Sequence, residues 1–306
     1  MESIADSLVR RIPLRAGRVA SQAGTRARSS PQPTAGRAAD PALLAVHCYP
    51  TADAEVLALA AEWLAWRFEQ GGHESARGPQ VVEQHALQAA ALGVPAGVSE
   101  EPGASALRDL VERVADGMGE AWRLRFGRHV CDYLSAEVRS AARRAAGHVP
   151  ELDGFAEQRR DLGAVLASFD LVEKAVGAPL PPVVYFSRPY QGMLLAAADT
   201  VCWTDDLLTA DAPRTRAGHE SLVTVVGVRQ RLLQPDARAY VSVLCEERLD
   251  RFFADQAELA SLCAELRLPD GLRRLALECA DLLACWMRGQ LEWGWRTGRY
   301  PRPTEV

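Results

Sequence analysis

Three acids and a hydroxyl crowd into the end of one short stretch, ADTVCWTDDLLTAD (198–211), as Asp205, Asp206, Thr209 and Asp211. Asp205 and Thr209 are four residues apart, so a helix presents their carboxylate and hydroxyl on one face. Oxygen ligands in that arrangement suit a hard divalent cation such as magnesium. The same acids equally suit a plain helix end without a metal. A carboxylic acid among Asp205, Asp206, Asp211 or Glu74, its pKa raised by burial, would instead donate a proton near neutrality. Upstream, EQGGHES (69–75) adds His73 and Glu74 after a Gly-Gly break. Those two side chains can bind a metal, act as acid and base, or sit in a solvated loop.

The elements that must position these groups read as helices. Val56, Leu59, Trp63 and Trp66 recur at spacings of three and four, forming one apolar stripe. Val241, Leu244, Leu249 and Phe252 form another, and Leu272, Cys279, Leu283, Trp286 and Met287 a third. Breakers separate such segments at Gly78-Pro79, Pro95, Pro102-Gly103, Pro150, Pro179 to Pro182, Pro235 and Pro269-Asp270-Gly271. No window alternates with the period of a strand. The pattern predicts an all-α domain over residues 41–306, a single bundle of roughly eight to eleven helices with room for a ligand cavity between them. Residues 1–40 carry seven arginines with much Ser, Ala, Gly and Pro, and almost no large apolar residue after Leu14. They are expected to form a disordered tail.

Composition narrows the class. The 306 residues are 48% hydrophobic and 25% charged, with a net charge of -5, as in an ordinary soluble globular protein. Acids and bases are mixed, so no nucleic-acid footprint is expected. No run approaches the roughly 18 apolar residues of a membrane span, and no secretory signal is visible, which makes a cytoplasmic location the expectation. The seven cysteines lack any CxxC pair and read as small buried apolar residues rather than a disulfide framework or zinc site.

Four signatures, in order, resemble the bacterial class I terpene synthases. HCYPTADAEVLALAAEWLAWRF (47–68) is similar to the family's opening helix. The run from Glu137 through Arg143, Arg144, Gly147 and Pro150 to FAEQRRDLG (155–163) is similar to the stretch ending in its diphosphate-sensing arginine. ADTVCWTDDLLTAD resembles its second metal motif, and WMRGQLEWGWRTGRY (286–300) its closing helix with a terminal Arg-Tyr pair. The resemblance implies a class I terpenoid synthase helical bundle surrounding a central active-site cavity. It also implies a chemistry, in which a prenyl diphosphate loses its diphosphate among three magnesium ions and arginine forks, leaving a carbocation in an aromatic pocket.

Carried over residue by residue, the resemblance assigns Arg159 as the diphosphate sensor, 46 residues before Asp205 as in the family. Gly163 matches the kink glycine whose carbonyl assists ionisation. Arg299 and Tyr300 match the pair that closes over the diphosphate. Asp205 and Thr209, with Asp206 and Asp211 as further candidates, would hold one magnesium. The family's aspartate-rich motif falls on Gly71, Gly72 and Ser75, which lack its carboxylates, and the second motif's closing Lys-Glu falls on Ala212 and Pro213.

The expected activity is therefore conversion of a linear prenyl diphosphate to a cyclic or rearranged terpene at a non-canonical metal site. Two alternatives stand beside it: a metal-independent, acid-triggered cyclase on another isoprenoid, and a non-catalytic isoprenoid- or partner-binding member of the fold. The expected partner is a small isoprenoid substrate, and the pairing habit of the family admits a homodimer.

Overall fold

The computed structural model describes residues 3–15, 40–71, 81–93, 102–211 and 220–302. Thirteen helices and no strand occur among them: α1 (Ile4–Arg11), α2 (Pro41–Cys48), α3 (Ala54–Gly71), α4 (Val81–Leu92), α5 (Pro102–Ala115), α6 (Glu120–Ala145), α7 (Phe155–Leu162), α8 (Val165–Val176), α9 (Pro182–Tyr185), α10 (Arg188–Leu208), α11 (Leu222–Arg229), α12 (Gln234–Glu265) and α13 (Asp270–Thr297). The all-α expectation holds. The helix number exceeds the expected eight to eleven because several prolines open helices instead of separating them. Pro41, Pro182 and Pro235 each occupy the first turn of a helix, where a missing N–H costs nothing and the fixed φ is already helical.

Two helices form the interior. α10 is buried on nearly every side, and its small residues Ala196, Ala197 and Ala198 let α12 and α13 approach closely. α8 packs against α3, α6, α7, α10 and α13. Side-chain caps start the surrounding helices: Asp40 accepts from the Leu43 N–H, Ser187 from Tyr190 and Ser221 from Thr224. The expected apolar stripes face this core, with Leu59, Trp63, Val241, Leu249, Phe252, Cys279, Leu283, Trp286 and Met287 all buried. All seven cysteines are buried free thiols, as their pattern suggested.

The amino-terminal expectation needs correction over residues 3–15. Ile4, Leu8 and Ile12 are spaced four apart and buried, laying α1 against α12 and α13. Ser3 caps the helix, and Arg11 and Arg15 reach Asp250 and Asp281 at 2.6 and 2.7 Å. Arg11 also lies 4.5 Å over the Phe253 ring. Three apolar residues at that spacing suffice to anchor a short amphipathic helix once a partner groove exists. Residues 16–39 of the expected tail lie outside the described residues. No described helix is long and apolar enough to cross a membrane.

Candidate active site

The α7–α8 break sets the site. α7 ends at Leu162, Gly163 caps it, and Ala164 takes a left-handed φ of 50° before α8 restarts. A Cβ on Gly163 would meet Val165 Cγ2 at 2.8 Å, Cys202 Sγ at 3.0 Å and the Arg159 carbonyl at 3.3 Å. Only glycine lets the break pack this tightly against α10. The neighbouring arginines of α7 diverge: Arg160 turns to Asp199 of α10 at 2.7 Å, and Arg159 turns inward.

Arg159 forks onto Asp206. Its Nε donates to both carboxylate oxygens at 3.0 and 3.1 Å, and its Nη2 donates to Oδ1 at 2.8 Å. The Leu222 N–H donates to Asp206 Oδ2 at 2.8 Å, so the head of α11 also rests on this carboxylate. Burial alone would lower the Arg159 pKa, but the Asp206 charge more than offsets it and the guanidinium is held charged above its ordinary value. Burial pushes the Asp206 pKa up, against the pull of Arg159 and the Leu222 amide.

Asp205 is held from the other end of the chain. Arg299 donates Nε to Oδ1 at 2.9 Å and Nη2 to Oδ2 at 3.0 Å, and Tyr300 Oη donates to Oδ1 at 2.9 Å. Gln290 Nε2 donates in turn to Tyr300 Oη at 2.8 Å. Gly298, at φ +73°, reverses the chain after α13, and Gly294 leaves the space that the Tyr300 ring fills, since a Cβ there would meet Cδ2 at 1.9 Å. Burial and the Asp205 charge both raise the Tyr300 pKa, so the phenol stays a donor. Arg159 Nη2 lies 3.5 Å from Asp205 Oδ2, joining the two pairs into one network.

This network borders a partly open cavity of about 40 Å³ lined by Arg67, Phe68, Gly163, Trp286, Gln290 and Trp293 among others. Phe68 and Trp293 stack with centroids 5.9 Å apart. Phe68, Trp286 and Trp293 are the aromatic residues that line the cavity, whereas Phe186 is 72% exposed. Trp286, Gln290 and Arg67 were not read as site residues from sequence. Each sits inside a recognised signature but at a position where an apolar stripe or a helix surface would explain it.

The expected metal cluster is not assembled. Thr209 is the C-cap of α10, and its hydroxyl donates to the Asp205 backbone carbonyl at 2.6 Å. Asp211 lies apart from the cavity, paired with Arg238 at 2.8 Å and Gln234 at 3.1 Å. Gly71 ends α3, whereas Gly72, His73, Glu74, Ser75, Ala212 and Pro213 lie outside the described residues. Among the described residues no group of three or more His, Cys, Asp or Glu is placed to hold a metal ion. With both oxygens of Asp205 and of Asp206 already accepting hydrogen bonds from guanidinium groups, these residues as arranged do not fit a magnesium site.

The matching family is "Terpene synthase family 2, C-terminal metal binding", whose model covers residues 69–251. The chain belongs to this terpene synthase family. It is 41% identical over 266 residues to the (-)-delta-cadinene synthase of Streptomyces clavuligerus, covering 85% of this chain and 81% of that one. It is 31% identical over 201 residues to the (+)-T-muurolol synthase ((2E,6E)-farnesyl diphosphate cyclizing) of Roseiflexus castenholzii, covering 64% and 62%. Among solved structures, the linalool/nerolidol synthase of Streptomyces clavuligerus in complex with 2-fluorogeranyl diphosphate superposes with a TM-score of 0.75 at 25% identity, covering 83% of this chain and 87% of that chain. This terpene synthase therefore belongs to a family described as metal binding.

Proposed function

We propose that this terpene synthase ionises a linear prenyl diphosphate of the farnesyl class and closes the resulting cation to a cyclic sesquiterpene. The observation that carries the reading is the joined network of Arg159, Arg299 and Tyr300, five or more charge-assisted donors converging beside a cavity walled by Phe68, Trp286 and Trp293. The names of the cadinene and muurolol synthases support a sesquiterpene product, and the farnesyl diphosphate in the second name supports the substrate.

In this reading the allylic C1–O bond breaks heterolytically, the electron pair leaves with the diphosphate oxygen, and the carbon chain keeps the positive charge. Guanidinium and phenol donors stabilise the departing anion at the polar end. The aromatic faces of Phe68 and Trp293 stabilise the cation at the other, until it loses a proton or captures water. A cavity of about 40 Å³ is an order of magnitude below the ~300–1,000 Å³ of ligand pockets, so the substrate enters by parting side chains. The diphosphate then competes with Asp205 and Asp206 for the same arginine forks. Magnesium is the divalent ion to test for the metal in the family description; the carboxylates of Asp205 and Asp206 are already engaged by arginines. An acid trigger gains no support, since Asp205 and Asp206 both act as acceptors.

The test is incubation of the purified protein with geranyl, farnesyl and geranylgeranyl diphosphates, with magnesium and with EDTA, followed by gas chromatography. A cyclic C15 product from farnesyl diphosphate is expected. Product from none of the three substrates would overturn the reading.

A further inference from the structure

Resting on that reading, we propose that Arg67 is a third diphosphate-binding arginine, one helical turn before Gly71, where the resemblance expects the first metal-ligating carboxylates. Arg67 lies on α3, four residues before Gly71, so its Cα and that of Gly71 share one helical face. Its side chain lines the same cavity as Arg159, Asp205 and Arg299.

Charge balance gives this placement its meaning. Asp206 is matched by Arg159 and Asp205 by Arg299, in forked pairs. Arg67 forms no ion pair among the described residues; its guanidinium lies 5.0 Å from the centroid of its neighbour Phe68, an apolar platform. Burial lowers its pKa, and the positive charges of Arg299 and Arg159 add to that effect, opposed by Tyr133 and Asp205. Glu137 of α6 also feels Arg67 without pairing to it, and burial raises the Glu137 pKa. Of the described charged residues that line the cavity, Arg67, Arg159 and Arg299 outnumber Asp205. A buried cation is costly without an anion against it, and a diphosphate carries the required sign and several acceptor oxygens. The resemblance expects cation-recruiting carboxylates at Gly71 and Gly72; Arg67 supplies a cation covalently.

Binding of inorganic pyrophosphate, followed by isothermal calorimetry in EDTA and in magnesium, tests the assignment on the wild type, Arg67→Gln and Arg67→Lys, with thermal melts to confirm folding. Loss of one charge-assisted contact weakens Arg67→Gln about tenfold or more, and Arg67→Lys, which keeps the charge without the fork, recovers part of that loss. Unchanged affinity in Arg67→Gln, or no recovery in a folded Arg67→Lys, would overturn the assignment. Turnover of farnesyl diphosphate by the wild type separates the two claims. If the wild type turns over and Arg67→Gln binds pyrophosphate normally, only the role of Arg67 fails. If the wild type neither turns over nor binds pyrophosphate, both fail.

Discussion

Arg299 and Asp205 are 94 residues apart in the chain, yet the guanidinium of one meets the carboxylate of the other in two hydrogen bonds of 2.9 and 3.0 Å. This contact ties the end of the bundle to its central helix α10. It also places a residue that the resemblance makes a metal ligand against one that it makes a phosphate binder. Opening the pair frees Arg299 for an anion, and closing it restores a neutral network.

Arg299→Gln is therefore expected to remove a hydrogen-bonded charge from the leaving-group end. The loss of about 1.5–3 kcal/mol corresponds to a fall in kcat/KM for farnesyl diphosphate of roughly 10- to 150-fold. Tyr300→Phe should cost less, because it deletes one donor and leaves both ionic partners in place. Steady-state kinetics on the two variants distinguishes a donor role from mere packing at the end of α13.

The Arg159–Asp206 pair makes a stability prediction. Asp206→Asn leaves a buried guanidinium without its charge partner and should destabilise the fold by about 3–5 kcal/mol in urea unfolding. The apolar double variant Arg159→Met/Asp206→Leu is expected to recover much of that stability, since a buried pair and an apolar pair of similar volume are often near equal. It should remain inactive. Recovered activity would remove Arg159 from the diphosphate site.

Asp161, two residues beyond Arg159 on α7, supplies a pH dependence. Burial and then the charge of Asp132 push its pKa up from 3.8 to about 6, opposed by Arg139. A carboxyl whose folded pKa is raised stabilises the fold fully below its unfolded pKa, and that contribution is lost as pH rises through about 6. Wild-type stability should therefore fall relative to Asp161→Asn between pH 4 and pH 7, by on the order of 1–3 kcal/mol. Parallel urea titrations of the two proteins across that range check it, and parallel curves would contradict it.

The helix α1 offers a test far from the cavity. Leu8 is fully buried against the bundle, so Leu8→Ala should cost about 2–5 kcal/mol. A disordered tail would give no change in the melting transition.

The all-helical bundle was legible because apolar periodicity survives in long helices such as α3, α12 and α13, where packing and pattern agree. Short elements escaped: α1 has only two turns, and the prolines of α9 and α12 looked like breaks when they were starts. At the site, the spacing of Arg159 from Asp205 pointed to the right pair of helices, α7 and α10. It could not reveal that the fork lands on the adjacent Asp206, because that choice depends on the rotation of α10 against α7. Thr209 followed the helical spacing rule only as far as the last turn; at the C-cap its hydroxyl bonds back to the Asp205 carbonyl. Arg67 was hidden because a single arginine beside Trp66 and Phe68 reads as the polar edge of an apolar stripe, and only the fold turns that edge toward the cavity.

On the proposed function Asp205 serves as an arginine partner and not as a metal ligand. The most direct measurement is the magnesium dependence of farnesyl diphosphate turnover in the wild type and in Asp205→Asn. A lower kcat is expected in the variant, with a half-saturating magnesium concentration within about twofold of the wild type, because no metal ligand has been removed. A half-saturating concentration raised about tenfold or more would contradict it and return Asp205 to the metal.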